Sequence, residues 1–86
     1  MQSQTTRQFW RLFSSLTLDA QRDAKRAYRL FRSHPAHPVY KFKKLQGDDN
    51  IYSFRIGLGH RALAVMKKDR IVWYWIGSHA EYDRLV

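Results

Sequence analysis

Two arginines and a histidine carry most of the chemistry this sequence could do. Arg55 and Arg61 flank the loop Gly57-Leu58-Gly59. If Ile56 pairs with His60 across that loop, Arg55 lies opposite Arg61 and both side chains leave the same face. Like charges directly opposite destabilise a sheet unless their heads reach water or an anion sits between them. A guanidinium pairs phosphate oxygens through a rigid fork, so phosphate suits the pair; two solvated arginines are the plain alternative. Ser53 would share that face, with Lys41 or Lys43 close on a neighbouring strand. The chain ends in Gly77-Ser78-His79-Ala80-Glu81-Tyr82-Asp83-Arg84-Leu85-Val86. His79 suits general acid or base work near neutral pH, and Tyr82 shares its face if a helical turn follows. Equally, His79 can cap the turn while Tyr82 anchors the tail. His34 and His37 suggest a metal, but no cysteine or carboxylate cluster accompanies them, so neither metal nor cofactor is expected.

These residues need a scaffold, and the composition bounds it. The chain has 86 residues, no cysteine, 44% hydrophobic and 15% aromatic content. That predicts one small packed domain over residues 1–86, held by packing rather than disulfides. Sixteen Lys and Arg against seven Asp and Glu give a net charge of +9. Ten basic and two acidic side chains lie in residues 1–46; residues 47–86 hold six and five. The partner such an excess suits is an anion: nucleic acid, an acidic protein or a membrane surface. A solvated, solubilising face is the bland alternative. No apolar stretch approaches the ~20 residues of a membrane span. Met1 to Arg7 lacks the apolar core of a signal peptide, so the expected location is cytoplasmic.

Periodicity supplies the elements. Phe9, Leu12, Phe13 and Leu16 fall on one face of a helix from about Thr6 to Leu16. Thr17 then caps a second helix through about Arg32, with Asp19 in its first turn. Ala20, Ala24, Ala27, Tyr28 and Phe31 form its apolar stripe, and Arg22, Lys25, Arg26, Arg29 and Arg32 another face. So short a connection forces a helical hairpin. His34-Pro35-Ala36-His37-Pro38 ends the helical part. Alternation then predicts strands at Tyr40–Leu45, Ile51–Ile56, His60–Lys67 and Arg70–Gly77. The last, through Ile71 to Ile76 (IVWYWI), is apolar throughout and should be covered on both faces. Tyr52, Phe54, Ile56, Ala62, Ala64 and Met66 are assigned to the core face. The fold class is α+β: a helical hairpin packed on one face of a mainly antiparallel four-stranded sheet.

The run Tyr52-Ser53-Phe54-Arg55-Ile56-Gly57…His60-Arg61-Ala62-Leu63, followed by Trp73-Tyr74-Trp75-Ile76-Gly77-Ser78-His79-Ala80-Glu81-Tyr82-Asp83, resembles the RelE/ParE superfamily of bacterial toxins. So do the stretch Phe31 to Lys44 and the helical hairpin before it. The resemblance implies the toxin of a type II toxin–antitoxin module. Many such toxins cut mRNA in the ribosomal A site, the RNA 2′-hydroxyl attacking the adjacent phosphate. By resemblance, Arg61 matches the arginine that RelE-like enzymes place on that phosphate. Arg55 stands where RelE has a catalytic lysine, His79 matches the histidine of the YafQ-like branch, and Tyr82 lies close to the aromatic position of those sites. Ser53 replaces a second lysine of RelE. The first strand of most relatives is reduced here to the short polar stretch Gln2 to Arg7, an edge strand or disordered.

The expected function is therefore a ribosome-dependent mRNA endoribonuclease that inhibits translation. Arg55, Arg61, His79 and Tyr82 would be its catalytic residues. Arg22, Lys25, Arg26, Arg29, Lys41, Lys43 and Lys44 would contact RNA. Ribosome, mRNA and an acidic, partly disordered antitoxin would be its partners. The ParE branch gives the alternative of a gyrase inhibitor without nuclease residues. A non-toxic basic nucleic-acid-binding module is the third reading; its affinity would be spread over many Lys and Arg and would fall steeply with salt.

Overall fold

A computed structural model describes residues 2–34, 36, 39, 41–45, 47 and 50–85. His37 and Tyr40, which figure in the expected metal pair and strand, lie outside the described residues. In chain order the elements are β1 (Gln2–Thr5), α1 (Arg7–Ser14), α2 (Leu18–Ser33), β2 (Lys43–Lys44), β3 (Ile51–Ile56), β4 (His60–Met66), β5 (Arg70–Ser78) and α3 (His79–Leu85). The strands form one five-stranded sheet in the order β1-β5-β4-β3-β2. All its pairings are antiparallel except β1 with β5.

The hairpin forms as its caps predict. Phe9 N–H donates to the Thr6 hydroxyl at 3.1 Å, and Ala20 N–H to the Thr17 hydroxyl at 3.2 Å. Each satisfies a first-turn donor that has no helical partner. Gln21 Nε2 reaches back to the carbonyls of Phe13 and Leu16, 3.2 Å each, and ties the second helix to the end of the first. Leu16 falls in the link rather than in the helix.

Three features differ from the alternation or extend it. Of the strand expected at Tyr40–Leu45, the described residues keep only the pair Lys43 and Lys44. Lys41 has φ 46°, a left-handed conformation that breaks extended pairing just before it. At the other edge, β1 is a strand despite four exposed polar residues. It is held through its backbone and by the Trp73 indole, whose Nε1–H donates to Ser3 Oγ at 2.8 Å. At the C-terminus, His79–Leu85 is a helix.

The main core lies under the hairpin. Phe54, Ile56, Ala62, Ala64, Ile71, Trp73 and Ile76 from the sheet meet Phe13 and Ala24 from the helices. The opposite face carries a second, smaller core of Leu63, Trp75 and Tyr82. The two faces of β5 are thus both covered, as its unbroken apolar run requires. The register shifts at Leu63/Ala64, where Trp75 pairs Leu63 and Trp73 pairs Ala64, so Tyr74 is the extra residue. That bulge sends two nearby indoles to opposite cores.

Ser53 is fully buried within the sheet, and its hydroxyl has no hydrogen-bond partner among the described residues. An unpaired buried hydroxyl forfeits its hydration without return. Ser53→Ala is therefore expected to leave stability unchanged or raise it by up to ~1 kcal/mol. A urea titration checks this; a clear loss of stability would mean that the hydroxyl finds a partner in solution.

Candidate functional site

The β3–β4 hairpin sets the first two residues. Ile56 pairs His60 and Arg55 pairs Arg61, the register that the Gly57-Leu58-Gly59 loop predicts. The side chains then part. Arg61 Cζ lies 5.0 Å from the centroid of the Tyr82 ring. Arg55 instead turns back, its Nε donating to the Gly57 carbonyl at 3.0 Å. It lines an open groove of about 410 Å³ with Arg26 and Leu30 of α2 and Leu58 of the turn.

Helix α3 supplies the rest. Ser78 N–H donates to Glu81 Oε1 at 2.9 Å, and Glu81 N–H donates to Ser78 Oγ at 3.1 Å. This reciprocal capping box starts the helix as β5 ends. His79 N–H donates to the Gly59 carbonyl at 2.8 Å, so the helix start is fixed to the same turn that sets Arg55 and Arg61. Tyr82, 8% exposed, faces inward onto Leu63 and Trp75. His79 faces out: its side chain is 48% exposed, and Nε2 lies 3.4 Å from Asp83 Oδ2. The His79 and Tyr82 ring centroids are 6.3 Å apart.

Arg61, Tyr82 and His79 are therefore brought together, with Tyr82 as the buried platform between a guanidinium and an imidazole. The described residues place no carboxylate within ion-pair distance of Arg61, and its buried Nε has no hydrogen-bond partner among them. A cation so placed has donors to offer an anion. Together the residues can bind a phosphate and move a proton beside it.

The expected RNA contacts do not form one surface with this group. Helix α2 covers the main-core face, so Arg22, Lys25, Arg26 and Arg29 stand across the sheet from Arg61 and Tyr82. Arg22 and Arg26 are also paired to Asp19 and Asp23, at 3.7 and 3.3 Å. Lys43 lies opposite Ser53 and thus shares the Arg61 face, whereas Lys44 lies opposite Tyr52 on the other. Lys41 precedes the strand. Residue types do not reveal the second core, although Ser78-His79-Ala80-Glu81 carries the S-x-x-E signal of a helix start. No group of metal-ligating side chains occurs among the described residues. No helix among them is long and apolar enough to cross a membrane.

The capping box gives the site a pH dependence. The Glu81 carboxyl is held below its usual 4.5, first by the Ser78 backbone N–H, then by the Ser78 hydroxyl, with Arg84 and His60 adding to it. A carboxyl lowered in the folded state contributes stability present above pH 4.5 and lost as pH falls through its lowered value. On acidification below that point the urea midpoint should fall further for the native chain than for Glu81→Gln. Equal slopes would show that the bond to Ser78 does not persist in solution.

A family model described as a ParE-like toxin domain matches residues 18–84. A search of curated protein sequences gives no match. Among solved structures, the chain is similar to the RelB–RelE antitoxin–toxin complex from Methanococcus jannaschii, with TM-score 0.73, 14% identity, and coverage of 96% of this chain and 98% of that one. It is also similar to a YoeB/ParE toxin from Agrobacterium tumefaciens, with TM-score 0.70, 19% identity, and 92% and 99% of the two chains covered. A third similar structure is YafQ from E. coli, with TM-score 0.69, 16% identity, and 93% and 94% covered. At these identities the structural likeness speaks for the fold.

Proposed function

Because the chain belongs to the ParE-like toxin domain family, and so to the toxins of toxin–antitoxin systems, we propose that it is a ribosome-dependent endoribonuclease that cuts mRNA and stops translation. The observation that carries this reading is the Arg61 guanidinium held on the Tyr82 ring beside the exposed His79 imidazole.

In the proposed step the RNA 2′-hydroxyl oxygen bonds to the adjacent phosphorus as its proton leaves to a base. The bond from phosphorus to the 5′-oxygen of the next nucleotide breaks, and that oxygen takes up a proton. A cyclic phosphate remains on the upstream fragment. Charge grows on the phosphate oxygens in the transition state, and Arg61 stands to neutralise it with a fork that matches phosphate. His79 is the proton-transfer group, with Asp83 orienting its Nε2. Tyr82 fixes the distance between them. Arg55 stands at the margin, closer to the cations of α2, where it would bind backbone phosphate. Arg22, Lys25, Arg26, Arg29, Lys41, Lys43 and Lys44 would hold ribosomal RNA by charge.

The proposed partner is a cognate antitoxin. The similar structure from Methanococcus jannaschii is an antitoxin–toxin complex, and a +9 chain suits an acidic segment that folds on binding. Pull-down with the product of the adjacent reading frame tests it; a stable, non-toxic chain with no acidic partner would count against it.

A gyrase inhibitor is the second reading, favoured by the ParE-like family model and by Arg55 turning from Arg61. Primer extension on mRNA from induced cells separates the two. Cuts positioned within codons support the nuclease. Intact message, with gyrase-linked DNA cleavage complexes, removes it.

A further inference from the structure

A cleft open to solvent runs beside the main core. A cavity of about 350 Å³ lies between β1, the hairpin and the sheet, against Phe13, Ala24, Phe54, Trp73 and Ile76. Concave sites of a few hundred Å³ with mostly apolar walls are characteristic of ligand pockets. Most polar groups on its wall are already engaged. Ser3 Oγ accepts from Trp73 Nε1–H, and Thr5 Oγ1 accepts from Trp10 Nε1–H at 2.7 Å. Gln4 Oε1 accepts from Arg70 at 3.4 Å. The interior is left apolar and largely aromatic.

Its rim is cationic. Lys25 and Arg29 line the cavity one helical turn apart, about 6 Å between Cβ atoms. They differ from their neighbours on α2: Arg22 and Arg26 each have an aspartate three residues earlier, whereas Lys25 and Arg29 have an arginine there. Among the described residues, neither has a carboxylate partner; Lys25 Nζ rests 5.9 Å from the centre of the Phe13 ring. An apolar, aromatic-walled cavity under two uncompensated cations is complementary to a molecule with a greasy body and one anionic head.

We infer that this cavity binds a small amphipathic monocarboxylate, its alkyl or aryl body against Phe13, Phe54 and Trp73 and its carboxylate between Lys25 and Arg29. The site lies across the sheet from Arg61 and His79, apart from the proposed cleavage step, although its two cations also belong to the surface proposed to hold ribosomal RNA.

Decanoate, kept monomeric, is the probe, with decanol as the uncharged control, and binding to the full chain is read by NMR titration and melting temperature. Decanoate is expected to bind saturably at one site, shift the Phe54 and Ile76 amides and raise the melting temperature. Decanol should bind at least about tenfold more weakly. The double variant K25E/R29E should lower decanoate affinity by at least about tenfold and leave decanol unchanged. Ala24→Leu, which fills the cavity, should remove both; if it fails to fold, the charge-reversal arm decides alone. Absence of saturable binding would overturn the inference, as would equal decanoate affinity for the native chain and K25E/R29E. So would binding to anionic phospholipid vesicles, or to an acidic peptide bearing one aromatic side chain, without binding of monomeric decanoate. None of these readouts depends on toxicity.

Discussion

Replacing Arg61 or His79 by alanine is expected to abolish growth arrest on induction while the chain stays folded. The two substitutions remove different parts of the proposed step. Losing a donor aimed at developing charge costs about 10²–10³ in rate, and losing a general acid or base about 10²–10⁴. Either loss exceeds anything that stability could explain. His79 is half-exposed and its contact with Asp83 is a surface pair, worth at most about 1 kcal/mol. Arg61 gives up its position over Tyr82, about 0.5–2 kcal/mol for a cation on a ring. A domain of this size has about 5–10 kcal/mol to lose, so both variants should keep a cooperative unfolding transition. Arg61→Lys is the sharper test, since it keeps the charge and loses the fork; activity should stay low. Arg55→Ala should reduce cleavage by no more than about tenfold, because its Nε is held by the Gly57 carbonyl rather than aimed at the Arg61–His79 group. Full toxicity in folded Arg61→Ala and His79→Ala would refute the site, and an Arg55→Ala loss as large as theirs would place the chemistry on the other side of the turn.

The same contrast shows what a sequence of this kind makes legible. Strand register could be read because side chains alternate strictly: once the Gly57-Leu58-Gly59 turn is placed, Arg55 must oppose Arg61. The direction a long side chain takes from that position could not, since it depends on a carbonyl two residues on. Coverage of both faces of β5 followed from its apolar run. What covers the second face did not, because α3 is a short amphipathic turn with one buried tyrosine, too brief for periodicity to register. β1 was legible through the family resemblance as an edge strand but not through residue pattern, for a different reason. Its pairing runs through backbone groups and the Trp73 and Trp10 indoles, and none of its four side chains is apolar. The positive charge is divided between the two faces of the sheet. The cations of α2 lie in the same half of the sequence as those of β2, but they stand on the side of the sheet away from Arg61.

Gly77 is where fold and site depend on one another most closely. It lies opposite Arg61 on β5, next to the start of α3. A Cβ there would stand 2.6 and 2.7 Å from Cζ2 and Cη2 of Trp75 and 3.0 Å from Oε1 of Glu81. The first two distances are well inside contact, so the indole must move, and it is packed in the second core against Leu63 and Tyr82. Overpacking of this kind costs about 1–3 kcal/mol. Gly77→Ala should therefore lower the melting temperature by roughly 10 °C, given about 4–8 °C per kcal/mol in a domain this small. Activity should fall as well, because the displaced indole pushes on the Tyr82 platform beneath Arg61. Gly59→Ala supplies the control: a Cβ there meets nothing within 4 Å, and stability should change by no more than about 0.5 kcal/mol. Trp75→Phe in the Gly77→Ala background makes room for the methyl group and should recover part of the loss. If Gly77→Ala melts with the native chain, the indole has another place to go, and the second core is not what holds Tyr82 between Arg61 and His79.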